Sequence, residues 1–385
     1  MSLEKFKIIY FLLAVILLNS SCTNEKVNNV VKIGHVAPLT GNEAHLGKDN
    51  EAAFKLAIKD LNSQKIVING QELVFKGISE DDAADPKQGA SAAQKLIDLE
   101  VIGVIGHLNS GTTVPASIMY NRASIPQISP SATLPKYTRQ GFKYAFRVVA
   151  NDVQLGGSLG TYSYEVLNGK TAAIIDDRSA YGAGVATEFK SSFINSGGKI
   201  ISTQYTNNKA TDFFAILTAI KAKKPDLIFF GGMDAVAGPM LRQIKQLKIS
   251  SKLIGGDGIC TGKLPLLAGD SIGKNLVFCA TAGGQQSQKF VDSNKKFLSR
   301  FESETGNPVV LYAPYVYDAT MILAEAIRIT NSLDPLVFAE KIKSLRYEGV
   351  TGPISFDEFG DVKEPTLTIF TFDGQEKKVV EIIKS

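Results

Sequence analysis

The chain has no tryptophan, three cysteines, three histidines and no apolar run long enough to cross a bilayer. Each scarcity removes a class of function. His35, His45 and His107 form no pair with helical or zinc-ligand spacing, so no metal centre is expected. There is no G-x-S-x-G elbow, no H-E-x-x-H and no phosphate loop ending in Gly-Lys-Ser/Thr. Gly182-Ala183-Gly184 lacks the third glycine of a dinucleotide loop and lies too far past the preceding apolar run. Charge is also unremarkable in its placement. The net +4 comes from 42 basic and 38 acidic residues spread along the chain, with basic blocks no longer than pieces such as Lys221-Ala222-Lys223-Lys224. That is a solvated face, and no nucleic-acid partner is expected. Neither a catalytic residue nor a cofactor follows from this inventory; an enzyme would have to work through residues such as Cys260, beside which no partner is visible.

What is present begins with export. Lys5 and Lys7 precede the eleven apolar residues Ile8 to Leu18, and the run ends in Leu18-Asn19-Ser20-Ser21-Cys22. This is read as a signal peptide over residues 1–21, with Cys22 as a lipidation site and residues 22–29 as a short polar tether. The pattern resembles a bacterial lipoprotein signal, although Asn19 stands where leucine is usual. An exported chain meets an oxidising compartment, so Cys260 and Cys279 are a candidate disulfide; two separate buried thiols are the alternative. Each cysteine is expected beside a strand end.

From Val30 onward, short β-branched runs alternate with amphipathic stretches. Strands are expected at Val30 to Val36, Leu73 to Ser79, Val101 to Gly106, Lys170 to Asp176, Lys199 to Tyr205, Asp226 to Gly231 and Lys252 to Gly255. Helices between them and after them are expected at Asn50 to Leu61, Pro86 to Leu99, Gly184 to Phe193, Phe213 to Ala222, Ala235 to Leu247, Ser287 to Glu304, Tyr312 to Thr330 and Pro335 to Ser344. Alternation of this kind predicts an α/β fold with parallel sheets covered on both faces. The pattern restarts near Gly169, which predicts two Rossmann-like lobes with a cleft at the carboxyl ends of their strands.

At such an end Val101-Ile102-Gly103-Val104-Ile105 runs into Gly106-His107-Leu108-Asn109-Ser110-Gly111-Thr112-Thr113. Backbone N–H groups at a helix start, with the positive end of the helix dipole behind them, suit an anionic group such as a carboxylate. Plain N-capping by Ser110 and its neighbours is the bland reading of this stretch alone. A second hydroxyl-bearing turn, Ser129-Pro130-Ser131-Ala132-Thr133, follows the next short strand and favours a shared anion pocket. For the opposite charge, Asp257 stands in Gly255-Gly256-Asp257-Gly258, and Tyr181 follows Asp176-Asp177; each is also an ordinary turn residue. Together they suit a small zwitterion.

These residues in this order resemble the periplasmic leucine/isoleucine/valine-binding proteins, receptors of branched-chain amino-acid ABC importers. The resemblance runs from Val31-Lys32-Ile33-Gly34 to Gly352-Pro353-Ile354-Ser355-Phe356-Asp357. Further markers include Thr40-Gly41, Asp85-Pro86-Lys87-Gln88, Pro115-Ala116-Ser117, Tyr181-Gly182 and Leu267-Ala268-Gly269-Asp270. It implies a monomeric, envelope-located binding protein that delivers an amino acid to membrane permease subunits. Three hinge crossovers near Ala150, Ala280 and Pro353 would join a first lobe (residues 30–150 and 281–352) to a second (151–280 and 353–385). Ser110, Ser131 and Thr133 would hold the ligand carboxylate and Asp257 its ammonium, with Tyr181 closing from the second lobe. The alternative use of the same lobes is a receptor that senses an amino acid or small amide without transporting it.

The departures from the family concern the side-chain end of the pocket. Two cysteines bridged in some members are replaced here by Ala84 and Asn109. Leu46 and Met233 stand where the branched-chain binders place tyrosines, and Asp257 is one methylene shorter than the glutamate found there. These positions are expected to reset which side chain the pocket accepts; as plain packing, Leu46 and Met233 would fill core gaps.

Overall fold

The structure, a computed structural model, describes residues 29–283 and 288–384. The signal segment, Cys22 and most of the tether lie outside them. The first half of the chain builds β1 (Val30–Ala37), α1 (Ala44–Ser63), β2 (Val74–Asp81), α2 (Pro86–Asp98), β3 (Gly103–Gly106), α3 (Ser110–Arg122), β4 (Gln127–Ser129) and β5 (Ala145–Arg147). The strands form one parallel sheet in the order β2-β1-β3-β4-β5. β3 and β4 are buried at every position, as strands covered by helices on both faces must be.

The chain then repeats the plan. α4 (Asp152–Glu165), β6 (Thr171–Asp176), α5 (Ala180–Asn195), β7 (Lys199–Tyr205), α6 (Phe214–Lys223), β8 (Leu227–Gly231), α7 (Asp234–Gln246), β9 (Lys252–Gly255) and β10 (Val277–Thr281) follow in turn. Strands β7-β6-β8-β9-β10 are parallel and in the same relative order as the first sheet. Two antiparallel strands, β13 (Thr366–Asp373) and β14 (Glu376–Lys384), extend this sheet beyond β10. Between β10 and β13 the chain returns to the first sheet, where α8 (Gln288–Thr305), α9 (Ala313–Thr330) and α10 (Pro335–Ser344) cover it. A small ladder of β11 (Arg346–Glu348) and β12 (Pro353–Ser355) follows α10.

Most expected elements lie within a residue or two of those observed, with α1 beginning six residues earlier than read. α4 was not expected. Its Gly156, Gly157 and Gly160 break the apolar periodicity and lower helix propensity. Packing supplies the reason: a Cβ on Gly156 or Gly160 would come within 2.6 or 2.7 Å of the backbone carbonyls of Val185 or Phe189, so these glycines let α4 lie directly against α5. A capping box between Asn151 and Gln154 starts the helix.

Three stretches of chain pass between the lobes and lie side by side. The first follows β5, and the second follows β10; Ala150 N–H donates to the carbonyl of Ala282 across them at 2.7 Å. The third was expected at Pro353. Instead Ile354, Phe356 and Val362 pack into the apolar core of the first sheet, so the chain leaves that lobe only after Val362. Cys279 also departs from expectation, standing in the middle of β10 and not at its end. Its sulfur is bonded to that of Cys260, closing a 19-residue separation.

Candidate ligand-binding site

The loops after β1, β3, β4, β6, β8 and β9 converge in the cleft, each at the carboxyl end of its strand. They leave a small cavity of about 220 Å³, including its open side. Leu108, Asn109, Ser110 and Ser131 line it from the first lobe, Tyr181 and Met233 from the second, and Tyr312 from just before α9. Leu46 is fully buried behind this wall, in an apolar cluster that it shares with Leu108, Tyr181, Met233 and Tyr312. That cluster draws on both lobes, so the structure is a closed form.

On the first-lobe side no side chain caps the start of α3. The hydroxyls of this stretch and of the neighbouring turn are bonded elsewhere. Ser131 donates to the carbonyl of Leu108 at 2.8 Å, and Thr112 and Thr113 donate to Asn109. Ser110 Oγ accepts from the amide of Leu134 at 3.3 Å. Thr133 is fully buried, with its hydroxyl set toward the carboxyl of Asp152. Burial pushes the Asp152 pKa up to about 7, against the hydrogen bond from the Thr133 hydroxyl. Unpaired buried polar groups are costly, and a cleft holding free helix-start amides is prepared for a polar ligand.

The turn carrying Thr133 is held by residues that the sequence did not single out. Arg147, fully buried, donates to the carbonyls of Ala132 at 2.8 Å and Leu134 at 3.0 Å. Its charge is met by Asp361 at 2.7 Å. Burial alone would raise the Asp361 carboxyl; Arg147, with bonds from Thr138 and Asn151, holds it below its ordinary value. Arg147 and Asp361 are more than two hundred positions apart, and no local pattern joins them.

On the second-lobe side Asp257 is 1% exposed. Its Oδ1 accepts from the Tyr181 hydroxyl at 2.7 Å and its Oδ2 from the Tyr312 hydroxyl at 2.9 Å. Burial pushes its pKa up to about 6, against the effect of these two bonds. Tyr312 comes from the first lobe, placed by Asp49 of α1, which accepts from the backbone amides of Val310, Leu311 and Ala313. A second bridge, also absent from the sequence reading, joins His45 of α1 to Asp234 of α7 at 2.9 Å. Asp234 additionally accepts from the Thr261 hydroxyl.

Two lobes of repeated parallel topology, closed on an interlobe cavity, are matched along almost their whole length by one family. The periplasmic binding protein family model covers residues 30–376. The chain belongs to the periplasmic binding proteins. Among curated relatives, it is 31% identical over 342 residues to a leucine-, isoleucine-, valine-, threonine- and alanine-binding protein of Pseudomonas aeruginosa, covering 89% of this chain and 90% of the relative. It is 33% identical over 344 residues to a Leu/Ile/Val-binding protein homolog of Brucella abortus, with the same coverage. Among solved structures, this periplasmic binding protein superposes with a TM-score of 0.83 on the substrate-binding protein LivJ of Streptococcus pneumoniae in complex with isoleucine. The two are 25% identical, covering 92% of this chain and all of the other. The leucine-binding protein LivK of Thermotoga maritima gives the same TM-score at 24% identity, covering 92% and 99%, and supports the fold.

Proposed function

We propose that the chain binds an α-amino acid in the interlobe cleft and hands it, in the closed form, to the permease of an ABC importer. The observation that carries this reading is the separation of chemistry across one cavity. Uncapped helix-start amides of α3 stand on one side and the buried carboxyl of Asp257 on the other. The first set complements a carboxylate and the second an ammonium. In this assignment Ser110, Ser131 and Thr133 place the ligand carboxylate, while Asp257, steadied by Tyr181 and Tyr312, takes the ammonium. Leu108 and Met233 contact the side chain, with Leu46 supporting them. The ligand touches both lobes only when they are closed, so binding shifts the population towards that form. The names of the relatives support an amino acid as cargo. Residues 1–21 as an export signal and a lipid on Cys22 complete the proposal, placing the receptor in the cell envelope on a short tether.

Calorimetric titration of ligand-free protein against the common amino acids tests it. One-to-one binding of at least one, lost in Asp257→Asn, is expected. Absence of heat with every amino acid overturns the reading.

A further inference from the structure

The cleft is acidic beyond what one ligand ammonium requires. Besides Asp257, it holds Glu43, Asp152, Asp177 and Asp234, all less than a tenth exposed. Against them the cleft sets His45, which is spent on Asp234. An α-amino acid with a neutral side chain brings one ammonium and one carboxylate. It therefore leaves the remaining acids unpaired, and burial already pushes Glu43 and Asp152 up to about 7, towards the neutral form that an unpaired buried carboxyl takes.

The excess is concentrated behind one stretch of wall. Asn109 lines the cavity and donates its amide Nδ2 to Glu43 at 2.6 Å. That bond fixes the amide's orientation and leaves its carbonyl Oδ1 buried with no partner. Asp177, 2% exposed, is the second sign: its Oδ1 accepts from Ser179 N–H and the Ser179 side chain also bonds the carboxyl, while no protein donor is placed on its buried Oδ2. Oδ2 lies on the side of Gly232, where a Cβ would come within 2.9 Å of it, next to the cavity residue Met233. Glu43 belongs to the first lobe and Asp177 to the second, and closure brings them near enough that Asp177 and Asp234, after burial itself, push the Glu43 carboxyl up, to about 7. Every unpartnered atom at this end of the cavity is thus an acceptor, and a closed form without a cation sets like charges against one another.

We propose that the side-chain end of the cavity is a cation site. The carbonyl oxygen of Asn109, backed by the carboxylates of Glu43 and Asp177, takes an ammonium or guanidinium at the far end of the ligand. The inference rests on the amino-acid reading above and narrows its substrate class to diamino acids and arginine-like amino acids. Met233 and Leu108 cover the methylene stem of such a ligand, leaving the charged end to reach Asn109.

Pairs of ligands matched in shape separate the two readings: L-arginine against L-citrulline, and L-lysine against L-norleucine, titrated calorimetrically into the wild-type protein. At least one cationic member is expected to bind tenfold or more tightly than its neutral partner. Glu43→Gln and Asp177→Asn, checked for folding by circular dichroism, are expected to shrink that ratio at least fivefold. Equal or tighter binding of the neutral partners, or binding only of leucine, isoleucine or valine, overturns the cation site while leaving the amino-acid receptor intact. Failure of every amino acid to bind overturns both.

Discussion

His45 and Asp234 bond the two lobes to each other, imidazole Nε2 to carboxylate at 2.9 Å, on the rim of the closed cleft. Burial works against protonation of His45, yet the hydrogen bond and charge of Asp234 outweigh it and hold the imidazole above its ordinary value of 6.5. Opening the cleft separates the pair and returns His45 to water. The proton is therefore bound more tightly in the closed form. Its contribution to closure is complete below pH 6.5 and fades as pH rises through the raised value. His45→Gln is expected to cost the closed form about 1 kcal/mol, roughly fivefold in population, at pH 6 and much less at pH 9. Energy transfer between dyes on the two lobes reads this directly, and an equal effect at both pH values would contradict it.

Asp257 carries the opposite sign. Burial raises its pKa to about 6 in the ligand-free cleft, and the ammonium of a ligand needs the ionised carboxylate. A proton then competes with the ligand: affinity is expected to be flat above pH 7 and to fall about tenfold per unit once pH drops well below 6. Asp257→Asn removes the dependence and costs about 3 kcal/mol, more than a hundredfold in Kd. Titration calorimetry from pH 4.5 to 8 measures both.

Thr133 offers a lighter test of the other end. Replacing it by valine keeps its shape and removes a hydroxyl that faces the buried carboxyl of Asp152. Stability is expected to fall by no more than about 1 kcal/mol, the worth of one hydrogen bond to Asp152, while ligand affinity drops by about 1.5 kcal/mol, roughly tenfold. A fall in melting temperature with unchanged affinity would remove Thr133 from the site.

Arg147 acts through the turn it holds. Arg147→Met leaves the buried Asp361 with Arg139, 3.0 Å away, as its remaining cation and frees the carbonyls of Ala132 and Leu134. The expected loss is about 3 kcal/mol of stability, the low end of the cost of breaking a buried pair from one side, because Arg139 still meets the carboxylate. The double variant Arg147→Met with Asp361→Leu is expected to recover much of that stability without recovering ligand affinity, since the turn at Ser131 to Thr133 stays unsupported. Denaturant melts and binding isotherms on the same samples distinguish the two effects.

Cys260 and Cys279 give a prediction on the second lobe alone. A cross-link closing a 19-residue separation stabilises by about 3 kcal/mol, chiefly by restricting the unfolded chain. Reduction, or replacement of both residues by alanine, is expected to lower the melting temperature by several degrees and to leave ligand affinity within a factor of two. Cys260 lies three residues from Asp257, so a large affinity loss would instead mean that the bridge positions the acid.

Much of this protein was set by local sequence. Apolar β-branched runs alternating with helical periodicity specify parallel strands and their covering helices, because burial on two faces leaves no other use for such runs. Turn chemistry after the strands placed Ser110, Ser131, Thr133, Tyr181 and Asp257 at carboxyl ends, where a doubly wound sheet presents its loops. Tertiary structure decided the rest. Helix α4 is stabilised by the close approach of α5, which its glycines permit and their propensity conceals. Residues 354–362 belong to the first lobe because Ile354, Phe356 and Val362 find apolar partners there, and nothing near Pro353 marks that choice. Tyr312 on Asp257, Asp361 on Arg147, His45 on Asp234 and Glu43 on Asn109 are all contacts between distant segments. Each of these residues is unexceptional among its chain neighbours. Its role comes from burial and from what lies opposite, and those exist only once the two lobes have folded and closed.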